Sequence, residues 1–205
     1  MKREELEYLN ERLKDKSPVD IIKWAVGLGK STVLTTNFRP YESAILFAGQ
    51  KAKSDIKVVW CDSGYNTRET YLFAEKLIES LNLNLFTYVP KRTAAHRDVV
   101  LGIPEVNTPE HNVFSEEVKL EPFRRALEEH KPEVWITNLR QGQTVHRDNL
   151  DILSIDSKGV LKVAPFYYYS DTDLDAYLEE NNLPNEHRYF DPTKALENRE
   201  CGIHQ

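Results

Sequence analysis

The chain has 205 residues, 40% of them hydrophobic and 29% charged, with a formal net charge of −6 at pH 7. That length supports one domain with a sizeable core, and the acidic balance gives no electrostatic case for nucleic acid or an anionic membrane, although a local basic pocket would still suit an anion. Two cysteines make no disulfide framework, no apolar run is long enough to span a bilayer, and Met1-Lys2-Arg3-Glu4-Glu5 has no signal-peptide h-region behind it, so a reducing cytoplasm is the expected setting.

The chain opens with helical periodicity over 4–13, followed by Ser17 as an N-cap with Pro18 at the first helical position and a second helix to about Gly27. Thr32 to Thr36 reads as a short buried strand, Asn37-Phe38-Arg39-Pro40 as a turn, and 41–51 as an apolar helix. The unit then repeats: strand 56–61, loop 62–66, amphipathic helix 67–81, strand 84–89. Residues 96–117 are irregular and read as a long loop with one helix. Beyond it come helix 122–130, strand 134–137, strand 161–164 closed by Pro165, and a helix opened by the capping-box spacing Ser170-Asp171-Thr172-Asp173 and ending near Asn181-Asn182. Such alternation predicts an α/β fold: an open, doubly wound, mostly parallel Rossmann-like sheet with helices on both faces. The expected organisation is N-terminal helices over 1–30 packed on the core, a nucleotide-binding α/β unit over 31–190, and a mobile C-terminal tail over 191–205.

In such sheets ligands bind beyond the carboxyl ends of the strands, where the strand order reverses. After the first strand, Thr35-Thr36-Asn37-Phe38-Arg39 offers hydroxyls, an amide, a guanidinium and a helix N-terminus to a phosphate, or is plain turn chemistry. After the second, Asp62-Ser63-Gly64-Tyr65 offers a carboxylate acceptor and a glycine that lets backbone approach a ligand, or is an ordinary turn. Arg140, Gln143, His146 and Arg147 stand behind the fourth strand, where guanidinium forks suit phosphate or sulfate oxygens; the alternative is a solvated basic loop.

Cys201 lies in a polar segment, Arg199-Glu200-Cys201-Gly202-Ile203-His204. A packing cysteine is usually buried in an element, whereas a reactive one must reach its electrophile and then be reached in turn; Arg199 and His204 would favour the thiolate and Glu200 would oppose it. The other cysteine, Cys61, ends a buried strand and reads as a small core residue. The six histidines show no ligand spacing, so no metal is expected.

Taken together, these segments resemble the phosphoadenylyl-sulfate (PAPS) reductase family, a branch of the adenine-nucleotide alpha-hydrolase-like proteins. The resemblance runs from about Thr32 to His204 and is carried by Thr35-Thr36-Asn37-Phe38, by Asp62-Ser63-Gly64-Tyr65 with Glu69-Thr70-Tyr71, by Lys119-Leu120-Glu121-Pro122, by Leu139-Arg140 with Gln143 and Arg147, by Lys162-Val163 with Pro165, and by Glu200-Cys201-Gly202-Ile203-His204. It implies assimilatory sulfate reduction. The Cys201 thiolate would attack the sulfonate sulfur of PAPS, releasing adenosine 3',5'-bisphosphate and leaving an S-sulfocysteine, from which a thioredoxin or glutaredoxin thiol would release sulfite. Arg140, Arg147 and Lys119 would face the phosphosulfate oxygens, and His204 would orient or deprotonate the thiol. A homodimer fits the family. Related adenylyl-sulfate (APS) reductases carry further cysteines for a [4Fe-4S] cluster, which a supply of Cys61 and Cys201 alone excludes.

The chain departs from the family pattern in three places. Arg39-Pro40 stands where the phosphate loop usually has glycine, and Asn138 also replaces a glycine. Tyr189 to Lys194 replaces a longer Gly-, Asp- and Thr-rich segment, which would leave Lys194 and Arg199 to hold phosphates. The competing readings are a reductase acting on APS, an ATP pyrophosphatase of the same superfamily, whose Ser-Gly-Gly-x-Asp-Ser type loop is missing here, and a non-catalytic nucleotide-binding relative.

Overall fold

A computed structural model describes residues 3–194. Its six-stranded sheet runs in the order β3-β2-β1-β4-β6-β5, with β1 Thr32–Thr36, β2 Lys57–Cys61, β3 Asn84–Tyr88, β4 Val134–Ile136, β5 Leu153–Ile155 and β6 Leu161–Val163. All neighbours are parallel except β5 and β6, which are antiparallel. From β1 the chain winds outward through β2 to β3, then returns to the other side of β1 with β4. The reversal between β1 and β4 opens the crevice in which a doubly wound sheet binds its ligand.

Side-chain alternation divides the core into two layers, as the twofold repeat of a strand requires. Leu34, Val58 and Ile136 face one way and join α2 (Pro18–Gly27), α3 (Glu42–Ala52), α4 (Arg68–Leu81) and α8 (Asp171–Glu180) in the larger layer. Val33, Val59 and Trp135 face the other way, against Phe123 and Ala126 of α7 (Glu121–His130). The caps expected from the sequence are present: Ser17 accepts from the Asp20 amide at 3.2 Å, and Ser170 with Asp173 forms the capping box of α8. Along the antiparallel edge lies α1 (Arg3–Leu13), whose buried Asn10 behaves as one more strand residue: its amide accepts from the Leu153 N–H at 2.8 Å and donates to the Leu153 carbonyl at 3.1 Å. The edge is thereby covered.

Two features differ from the sequence reading. The stretch expected to be a loop with one helix contains α5 (Ala94–Val100) and α6 (Pro109–Ser115), and α6 runs through a π-helical turn, Glu116–Leu120, into α7. Thr93 and Thr108 cap these helices through the His96 and His111 amides, a signal that short length and polar composition concealed. Strand β5 was also not expected: unlike the equally short β4 and β6, which are buried throughout, it is buried only at Leu153 and forms the antiparallel edge.

Candidate functional site

The carboxyl ends of β1 and β4 form two walls of a polar cleft of about 450 Å³, measured with its open solvent space. Thr35, Thr36 and Asn37 come from β1 and the turn after it, and Thr137 and Asn138 follow β4. The turn into α3 is tight, with Phe38 and Tyr41 in the left-handed region at φ 51° and 68°. What holds it is Glu42, the first residue of α3 and only 3% exposed. Its carboxylate accepts from the Thr36 hydroxyl at 2.7 Å, the Asn37 N–H at 3.3 Å and Arg39 Nε at 2.9 Å. Arg39 Nη2 reaches across the crevice to the Asn138 carbonyl at 2.7 Å and so pins one strand end to the other. Phe38 does not line the cleft. It is fully buried and packs edge-on against Trp60 with centroids 4.9 Å apart, so it anchors the loop from beneath instead of touching a ligand.

Cations come from three other parts of the chain: Lys119 from the π-helical turn, Arg147 from the loop after β4, and Lys194. Lys119 is 7% exposed, and its ammonium donates to the Asp191 carboxylate and, at 3.1 Å, to the Thr193 hydroxyl. Burial of Asp191 works to raise its pKa, but the Lys119 charge and the bonds from Lys119 and Thr193 outweigh it and hold the carboxyl below the ordinary value. The strap 191–194 is fixed further by His111, whose Nε2 lies 3.1 Å from the Pro192 carbonyl oxygen. Gln143 braces the basic loop, its side-chain oxygen accepting from the Arg140 N–H at 3.2 Å and from the Arg147 guanidinium.

The other expected residues are arranged differently. Arg140 turns from the cleft to Asp171, 2.7 Å away, and lies over the Tyr41 ring. One oxygen of Asp62 is occupied by the Gly64 N–H and the Asn66 amide of its own loop, at 2.9 and 2.8 Å, and by the Tyr71 hydroxyl of α4 at 2.9 Å. Gly64 has φ 82°, and a Cβ there would stand 3.2 Å from that of Ala94, so glycine brings this loop against α5. Ser63 and Cys61 line a smaller recess beside Lys119 and Asp191. Burial pushes the Cys61 thiol up to about 12 against the pull of Lys119 and Arg125. Arg199, Cys201 and His204, with the tail that carries them, lie outside the described residues.

Glu42 and Thr137 line the cleft without having been singled out from the sequence, and Tyr189 and Asp191, named there only within the shortened segment, line it too. A carboxylate argues against an anion site when read alone, and only the fold shows that Glu42 and Asp191 hold the donors in place.

The sequence pattern of the phosphoadenosine phosphosulfate reductase domain matches residues 32–191, the stretch that builds both walls of the cleft. The chain belongs to the phosphoadenosine phosphosulfate reductase family. It is 31% identical over 186 residues to the phosphoadenosine 5'-phosphosulfate reductase of Synechococcus sp., covering 89% of this chain and 79% of that one. With the enzyme of the same name from Xylella fastidiosa it shares 31% identity over 226 residues, 98% of this chain and 95% of the relative. Among solved structures, the PAPS reductase of Candida auris in a phosphate complex superposes with a TM-score of 0.79 at 24% identity, covering 90% of this chain and 89% of that one. An FMN adenylyltransferase of Candida glabrata shares the fold more distantly, with a TM-score of 0.56 at 11% identity over 76% of this chain and 49% of that one. The chain is thus an enzyme of the PAPS reductase kind, an oxidoreductase on a nucleotide-binding fold. Among the described residues no helix is long and apolar enough to cross a membrane.

Proposed function

We propose that this PAPS reductase family member reduces 3'-phosphoadenylyl sulfate to sulfite and adenosine 3',5'-bisphosphate. The observation that carries the proposal is the convergence of Lys119, Arg147 and Lys194 on the Thr35-Thr36-Asn37 turn at the switch point of the sheet. The first step is attack of the Cys201 thiolate on the sulfonate sulfur. An S–S bond forms, the S–O bond to the 5'-phosphate breaks, and the electron pair leaves with the nucleotide. Charge grows on the phosphate oxygens as that bond breaks, and cations fixed beforehand on the cleft wall stabilise it without reorganising. In the second step a thiolate of a small dithiol protein of the thioredoxin or glutaredoxin type attacks Cys201 Sγ and expels sulfite. Its second thiol resolves the mixed disulfide and returns Cys201 as thiolate. Arg199 would add charge near the sulfur and His204 would orient or deprotonate it. No bound cofactor enters this scheme, and the protein would act in the cytoplasm, as a monomer or a homodimer.

Intact-protein mass spectrometry after mixing with PAPS, and separately with APS, in the absence of thiol reductant tests this reading. A sulfonate adduct mapped to Cys201 with PAPS is the expected result. Adduct with APS alone would reassign the donor, and no adduct with either, from folded protein with a free thiol, would overturn the reductase mechanism.

A further inference from the structure

We infer that the side-chain amide of Asn138 is a specificity-determining contact, accepting a hydrogen bond from a ribose hydroxyl of the bound nucleotide. The inference rests on the nucleotide reading of the cleft and adds to it the part of the substrate that this residue recognises.

Asn138 follows β4 on the wall of the switch-point cleft and is 4% exposed. Its backbone carbonyl is used by Arg39. Its side-chain oxygen is buried with no hydrogen-bond partner among the described residues. An acceptor stranded in this way costs about 1–3 kcal/mol, and native proteins leave few of them. On a residue of a ligand cleft's wall, such an acceptor is explained when the ligand brings the missing donor.

The chemistry of the nucleotide limits which group that donor is. Phosphosulfate and phosphate oxygens only accept when ionised, so the anionic end offers a carbonyl oxygen nothing. The donors of an adenine nucleotide are its ribose hydroxyls and the 6-amino group of the base. Arg39, Lys119, Arg147 and Lys194 line the same cleft as Asn138, so the phosphate end is seated here. Ribose is bonded directly to that end, whereas the amino group lies at the far edge of the base. In PAPS, whose 3'-oxygen is phosphorylated, the hydroxyl left to donate is the one at the 2' position.

The test uses calorimetric titration of the full chain with adenosine 3',5'-bisphosphate and with its 2'-deoxy counterpart. Wild-type protein is expected to bind the ribonucleotide about tenfold more tightly, the size of one neutral hydrogen bond made in a desolvated site. In Asn138→Ala the two nucleotides should bind alike, the loss falling on the ribonucleotide. Asn138→Asp, which keeps the acceptor and adds a negative charge, should weaken both while preserving their ratio. Asn138→Gly, which also removes the amide, should repeat the Asn138→Ala result if that variant melts too low to titrate. An unchanged ratio in Asn138→Ala or Asn138→Gly, or equal binding of both nucleotides by wild type, overturns the contact and leaves the functional reading standing. Failure of wild type to bind either nucleotide overturns both.

Discussion

Arg147 and Cys61 show how burial sorts the chemically capable side chains. Arg147 is 4% exposed and braced by Gln143, so its guanidinium is fixed before any ligand arrives. Arg147→Ala is expected to weaken binding of adenosine 3',5'-bisphosphate by about 1.5–3 kcal/mol, the range of a charge-assisted hydrogen bond, and Arg147→Lys to recover little, because a single ammonium cannot reproduce the fork. Calorimetry reads both. Cys61, with its thiol pushed up to about 12, carries almost no thiolate at neutral pH. Alkylation of native protein at pH 8 with peptide mapping should leave Cys61 unmodified until denaturant is added; rapid modification would show that the recess is open. Lys119 and Lys194 entered only through the resemblance, whereas Thr35 to Asn37, Arg39 and Arg147 were legible in the sequence, because a basic or hydroxyl residue at a strand end or in the loop past it is already suggestive. Glu42 was not, since nothing in Tyr41-Glu42-Ser43 shows a carboxylate folding back over the preceding turn. Phe38 misled for the opposite reason: it lies among ligand-type residues in sequence, yet its positive φ sends the ring into the core.

The strap 191–194 and the helix α1 are short elements held by polar contacts, and each contact has a measurable weight. Asp191→Asn should lower stability by about 1–3 kcal/mol, because it removes the charged partner of a nearly buried ammonium. The acid dependence follows from the direction of the shift. A carboxyl held below its ordinary value stabilises the fold above its unfolded pKa of about 4, and this contribution is lost as pH falls on through the folded value. Thermal melts of wild type and Asp191→Asn should therefore differ at pH 7, the gap narrowing as pH falls below about 4; a constant gap would assign the effect to packing. For α1, Asn10→Ala deprives the buried Leu153 N–H and carbonyl of their partners and should cost about 1–3 kcal/mol in denaturant unfolding. The longer helices were legible because their periodicity extends over enough turns to be counted, and the short β4 and β6 because each is a mostly apolar run, buried throughout in the structure. The exceptions, β5 and the pair α5 and α6, are three and seven residues long and owe their form to neighbours: β6 for the first, the Gly64 loop and α7 for the others.

The whole sheet is organised about the reversal between β1 and β4, and the catalytic proposal divides the protein into a nucleotide-holding body and a thiol-bearing end. Truncation after Asn198 should accordingly leave the melting temperature and the affinity for adenosine 3',5'-bisphosphate nearly unchanged while abolishing sulfite release from PAPS. Loss of nucleotide affinity in that truncation would instead make the terminal residues part of the binding wall. The doubly wound plan was readable from the order of strands and helices, since parallel neighbours require crossovers. The pairing of Lys119 with Asp191, 72 positions apart, was not, because only the assembled sheet brings those segments together. That pairing has an electrochemical consequence. The cleft carries an internal counter-ion, so the nucleotide proposed to bind there would meet a lysine whose charge is already partly offset and not a bare charge. Affinity for an anionic nucleotide should then fall with ionic strength less steeply than the number of lining cations implies, because Asp191 stays beside Lys119 and offsets part of its charge.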